Sequence, residues 1–125
     1  MKLGAMQPYF FPYLGYFDLI YNAEKWIVFD VSKYIRHGWM NRNRILHPQK
    51  GDQYIRVPLK KHSSNTPINE IVISEDPKWK TSILRSLEHY HTQAPFYKET
   101  LSFVESCLSV DEKYLGKLNI HILEK

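Results

Sequence analysis

The opening thirty residues constrain this chain's fold most. A short apolar run, Leu3 to Met6, stops at Pro8, which has no N–H to give a ladder. An aromatic loop follows, Pro8-Tyr9-Phe10-Phe11-Pro12-Tyr13, with Gly15 behind it. From Tyr16 onward, Phe17, Leu19, Ile20 and Ala23 recur at helical spacing. Trp26 to Phe29 then returns as an unbroken β-rich run, the pattern of a parallel strand buried on both faces. Strand, loop, helix and strand make a βαβ unit, and open α/β sheets bind ligands beyond the carboxyl ends of such strands. Asp30 falls at the end of the second strand, so it is predicted to lie near the aromatic loop. A carboxylate there can bind a sugar hydroxyl, an amine or a metal, or simply cap a turn.

Arg36 to Arg44 reads RHGWMNRNR. Gly38 permits a tight turn, and Trp39 offers a flat face for stacking. Asn41 and Asn43 carry amides. Arg36, Arg42 and Arg44 carry guanidinium forks that match carboxylate or phosphate. In extended chain Arg42 and Arg44 project to the same side. The structural alternative is a solvated basic connection with Trp39 in the core. Gln53 to Leu59 reads as a strand, with Tyr54, Arg56 and Pro58 on one face and Ile55, Val57 and Leu59 on the other; Pro58 confines it to an edge or an end. Lys60 to Pro67 is a polar loop and Asn69 to Ser74 a further short strand. From Asp76 the period turns helical, with Trp79, Ile83, Leu87 and Tyr90 as the buried stripe. Two more helices are expected, at about Pro95 to Leu108 and Asp111 to Glu124. Gly116 inside the last one points to close helix packing, since glycine there costs about 1 kcal/mol relative to Ala.

The opening Gln7-Pro8-Tyr9-Phe10-Phe11-Pro12-Tyr13-Leu14-Gly15-Tyr16-Phe17, followed by Arg36-His37-Gly38-Trp39-Met40-Asn41-Arg42-Asn43-Arg44-Ile45, resembles the WbqC-like protein family. Its hallmarks are an opening of the type MQPYFFPYLGYF and a later block of the type RGWxNRNRI. The resemblance implies a place in bacterial O-antigen or related surface-polysaccharide biosynthesis, where a glycine transferase role has been suggested for members. It also implies that Gln7, Tyr9, Tyr13, Gly15, Tyr16, Asp30, Arg36, Trp39, Asn41, Arg42 and Arg44 form a substrate site for a nucleotide sugar or another anionic small molecule. Family members carry an Asp-Asp-Val-Gln type run where this chain has Asp30-Val31-Ser32-Lys33. The second acid is missing, which weakens any acid/base or metal role there. The family is roughly twice this length, so the 125 residues read as the N-terminal half of a longer architecture, or as a short member that completes its sheet by self-association. Either way, apolar surface at the C-terminal edge is expected to favour a homodimer.

Phe11-Pro12-Tyr13-Leu14-Gly15-Tyr16 with Leu19-Ile20 is also similar to the opening of the nucleotidylyltransferase superfamily, F-x-P-x-H-x-G-H-x-x-L-I. Tyr13 and Tyr16 stand where those enzymes have histidines. A phenol donates a hydrogen bond but is neutral at pH 7, so the likeness implies a phosphate or carboxylate cradle without nucleotidyl transfer.

The formal net charge is +4. It favours anionic ligands but is too small an excess to imply nucleic acid, and no dense Lys/Arg cluster is present. A nucleic-acid-binding module remains the alternative from another class. Cys107 is the sole cysteine, which rules out an internal disulfide and fits a reducing cytoplasm; its apolar helical setting marks a buried thiol. No leader or membrane-spanning run is legible. His89 and His91 stand two apart, the wrong spacing for a helical metal pair. No metal site, cofactor or catalytic residue is named by these patterns. Together they predict one α/β domain over 1–125, with a Rossmann-like βαβ opening, a mainly parallel sheet and a helical C-terminal third. Its predicted function is transfer of a small acyl or aminoacyl group to a nucleotide-linked sugar, or nucleotide binding alone.

Overall fold

In the computed structural model, which describes residues 1–125, Leu3–Met6 forms β1 and Lys25–Val28 forms β2. The two pair in parallel, Leu3 opposite Lys25 and Met6 opposite Val28, with helix α1 (Leu14–Asn22) between them. Their inner face is held together by aromatic packing. The Tyr16 ring of α1 lies 5.4 Å from that of Trp26, edge to face. Trp26 in turn lies so close over β1 that a Cβ on Gly4 would stand 2.5 Å from its ring.

The outer face is bare. Ile27 and Phe29 are each 47% exposed and Leu3 is 60% exposed. β2 is therefore not buried on both faces as its composition suggested, because no second layer covers the pair. Leu14 and Tyr21 of α1 are also exposed, and so are Phe96 and Phe103 in the C-terminal third.

The second sheet is a separate antiparallel hairpin, β3 (Arg42–Leu46) with β4 (Asp52–Arg56), turned at Gly51 with φ +73°. The chain is mixed α/β, but its strands form one parallel and one antiparallel pair rather than a single mainly parallel Rossmann-like sheet. The strand expected at Asn69 to Ser74 explains part of the difference. Ile68–Glu70 coils into a 3₁₀ turn after Pro67, and Val72 and Ile73 make only isolated bridges, to Tyr114 and Leu59.

Ile55 and Val57 point inward, as the alternation predicted. They join Ile68, Ile71, Ile83, Leu108, Leu115 and Leu118 in one buried cluster. Three helices close it: α2 (Lys78–Ser86), α3 (Tyr97–Leu108) and α4 (Leu115–Glu124). α4 starts four residues later than expected because the chain before it is held extended at Tyr114; Ile73 N–H donates to Lys113 O and Leu115 N–H to Ile71 O. Gly116 thus sits in the first turn of α4. A Cβ there would meet Ile68 at 3.8 Å, an ordinary contact, so tight packing does not account for it. No helix is long and apolar enough to cross a membrane.

Candidate anion-binding site

The opening loop and the 36–41 loop are bound into one wall. Phe10 is fully buried, and its N–H donates to Trp39 O at 3.0 Å. Asn43 donates from Nδ2 to Phe11 O, with Phe10 O at 3.4 Å. From α4, the buried Asn119 donates from Nδ2 to both Pro8 O (3.0 Å) and Met40 O (2.8 Å).

Two non-glycine residues, Phe11 (φ 43°) and His37 (φ 61°), take up left-handed backbone, which costs about 1–2 kcal/mol each. A β3 side chain holds the carbonyl of each: Asn43 that of Phe11, and Arg42 Nη2 that of His37, at 2.5 Å. The strain sits at the two loop tips that shape the clefts, and neighbouring elements fix it in place.

The first cleft, about 390 Å³, is lined by Tyr9, Pro12, Tyr13, Trp39, Asn43 and Arg44. Tyr13, 62% exposed, stands over Gly15, where a Cβ would come 2.7 Å from its ring. Gly15 therefore lets Tyr13 lie flat and does not itself line the cleft. Tyr16 does not line it either. It is completely buried, donates its hydroxyl to Gln7 O at 2.8 Å, and stacks against Tyr9 at 5.6 Å. Burial, aided by Tyr9, pushes its phenol up to about 12. A hydroxyl spent in this way is not a phosphate donor, so the cradle of two tyrosines implied by the superfamily likeness does not form. Gln7 is also engaged, with Nε2 donating to Ser32 Oγ at 2.8 Å.

The second cleft, about 260 Å³, is basic. Arg36, Arg42, Arg56, His37 and His62 line it around Tyr34, and no carboxylate does. Tyr34 is buried. Its hydroxyl donates to Asn41 Oδ1 at 2.9 Å, and Asn41 Nδ2 donates to Val57 O at 3.1 Å. Burial raises the Tyr34 phenol, while the guanidiniums of Arg42, Arg36 and Arg56, which line the same cleft, pull it down.

Arg42 is pre-set. Nε donates to Gly38 O at 3.2 Å, and the guanidinium carbon lies 4.4 Å from the centroid of Tyr54 and 6.0 Å from that of Trp39. It thus joins the basic cleft to the aromatic one. Arg44 shares its face of β3, as predicted, and lies 5.7 Å from the Trp39 centroid, but Asp52 neutralises it at 3.3 Å. The sequence reading placed Arg44 with the free cations; the hairpin register gives it a partner. Asn41 also lines the basic cleft, and its amide braces the wall there through Tyr34 and Val57 O. Asp30 lines neither cleft, and its main-chain carbonyl is taken by Asn69 N–H.

Sequence reasoning missed Tyr34, Arg56, His62 and Asn119. The outward face of Arg56 was legible in the strand alternation, but its position opposite Arg42 follows from the hairpin register. No group of three His, Cys, Asp or Glu side chains comes together that would hold a metal. Cys107 is buried, and burial pushes its thiol up.

The clamped segments, 7–17 and 36–45, are the ones that carry the family hallmarks, and the family model extends that match. The WbqC-like protein family model covers residues 7–125. The chain belongs to the WbqC-like protein family. The uncharacterized protein Rv1507c of Mycobacterium tuberculosis is 34% identical to this WbqC-like chain over 99 residues. The match takes in 78% of this chain and 42% of that protein, so the chain spans less than half the length of the relative. No solved structure matches this WbqC-like protein.

Proposed function

We propose that this WbqC-like protein binds a nucleotide-linked sugar across the two clefts. In this reading it serves cytoplasmic surface-polysaccharide biosynthesis by positioning that sugar for transfer of a small acyl or aminoacyl group, such as a glycyl group. The observation that carries this reading is the convergence of Arg36, Arg42 and Arg56 on Tyr34 with no carboxylate among them, beside a cleft walled by Tyr9, Tyr13 and Trp39. Guanidinium forks suit phosphate oxygens, and flat aromatic faces suit a base or a sugar ring. Gln7, Gly15, Tyr16 and Asn41 support the walls. In this reading the residues lining the clefts bind and orient the sugar. We further propose that the bare Leu3, Ile27 and Phe29 face is covered by a second copy of the chain.

A thermal-shift screen tests the binding reading, because a ligand that binds only the folded form raises the melting temperature. Nucleotide sugars should stabilise the protein at moderate salt. No shift with any nucleotide sugar counts against the reading. Tight binding of single-stranded oligonucleotides that weakens steeply with salt would replace it with a nucleic-acid module.

A further inference from the structure

Across the hairpin, Arg42 of β3 is the direct register partner of Arg56 of β4. Both point to the outer face, since Ile55 and Asn43 take the inner one. Like charges directly opposite each other in an antiparallel pair repel, and a fold normally avoids or neutralises such a pair. Here neither is neutralised. The ion pairs of the molecule are Arg44–Asp52 and Lys60–Glu75. Arg42 spends Nε and Nη2 on the Gly38 and His37 carbonyls, which leaves Nη1 free. Arg56 makes no side-chain hydrogen bond, and Arg36 makes one, at 3.4 Å to His62 O. Three guanidiniums thus face a cleft of about 260 Å³ with most of their donors unused.

We propose that Arg42, Arg56 and Arg36 form a subsite for a diphosphate, with Arg56 as its specificity-determining cation. A monophosphate engages one fork. A diphosphate has enough oxygens to reach both members of the Arg42–Arg56 pair and to cancel their repulsion. The identity of what carries the diphosphate rests on the nucleotide-sugar reading above. The subsite also sets the ligand's direction: phosphates lie in the basic cleft, and the ring lies past Arg42 on Trp39 and Tyr13. Arg44, already matched by Asp52, is not part of it.

The test is calorimetric titration of the 125-residue chain with inorganic pyrophosphate, inorganic phosphate and a uridine-diphosphate sugar, at fixed salt. Variants R56A and R85A accompany the wild type; R85A removes an equal charge from the exposed face of α2. Pyrophosphate should bind at least about tenfold more tightly than phosphate, the scale of one charge-assisted hydrogen bond. R56A should erase that difference, while R85A keeps it. R56A should also melt no lower than wild type without ligand, because it removes a repulsion. If the nucleotide sugar binds wild type and R56A equally, the subsite is overturned and the nucleotide-sugar reading stands. If pyrophosphate discriminates as expected but the nucleotide sugar does not bind, the subsite stands and that reading falls. If no anion binds, both fall.

Discussion

Asn119 donates from Nδ2 to the carbonyl of Pro8 at 3.0 Å, across 111 residues of chain. Its other amide hydrogen goes to Met40 O at 2.8 Å. One side chain on the last helix therefore fixes both loops from which the clefts are built. Replacing it with Ala leaves two carbonyls without this partner in a buried setting. Asn119→Ala should cost about 2–6 kcal/mol of stability, at about 1–3 kcal/mol per unsatisfied group. Urea denaturation reads that cost. A change below about 0.5 kcal/mol, within the range of an ordinary surface substitution, would mean that the amide is not holding the loops.

Arg42 does two jobs, bracing the 37–38 turn and presenting Nη1 to the basic cleft. Lysine has one compact charge and no fork, so it cannot do both. Arg42→Ala should abolish nucleotide-sugar binding while leaving the fold intact, and Arg42→Lys should lose at least about tenfold in affinity, the scale of one charge-assisted bond. Titration calorimetry decides it; full affinity in Arg42→Lys would show that charge alone is recognised.

Alkaline pH should unfold this protein partly through Tyr16. Burial holds its folded pKa at about 12, above the ordinary value of 10.0. The unfolded chain then releases the proton first. The associated stability is fully present below pH 10 and is lost as pH rises toward 12, on the order of 2 kcal/mol in all. Tyr16→Phe removes the hydroxyl bond to Gln7 O, costing about 1 kcal/mol at neutral pH. It should also flatten the alkaline slope. Urea midpoints from pH 8 to 11.5 for both proteins test this, and parallel curves would assign the slope to other groups.

The exposed face of the parallel pair predicts self-association. A charge in its middle, Ile27→Arg, should be tolerated by the fold because Ile27 is 47% exposed. The same change should turn a dimer into a monomer in sedimentation velocity. Wild type that stays monomeric throughout the micromolar range would remove the second copy as the cover of this face.

Periodicity carried the local elements well. Alternation in Gln53 to Val57 put Ile55 and Val57 in the core and Arg56 outside, and the 3.6-residue period found the helices, although the one expected from Asp76 through Tyr90 ends at Ser86 and continues as a 3₁₀ turn over Glu88–Thr92. The family hallmarks also pointed to the two loops that form the clefts. These are properties of neighbouring residues, set by side-chain spacing on a strand or a helix. The rest depended on contacts between distant segments. Trp26 to Phe29 has the composition of a doubly buried strand, yet one face stays open because no second layer comes over it. Tyr13 and Tyr16 look equivalent in the sequence, but one is exposed at a cleft and the other is buried against Gln7 O. Arg42 and Arg44 look equivalent too, and the register of one hairpin gave Arg44 a carboxylate and Arg42 a second arginine. Register and layer are fixed by which distant surfaces pack together, and no local pattern encodes that choice.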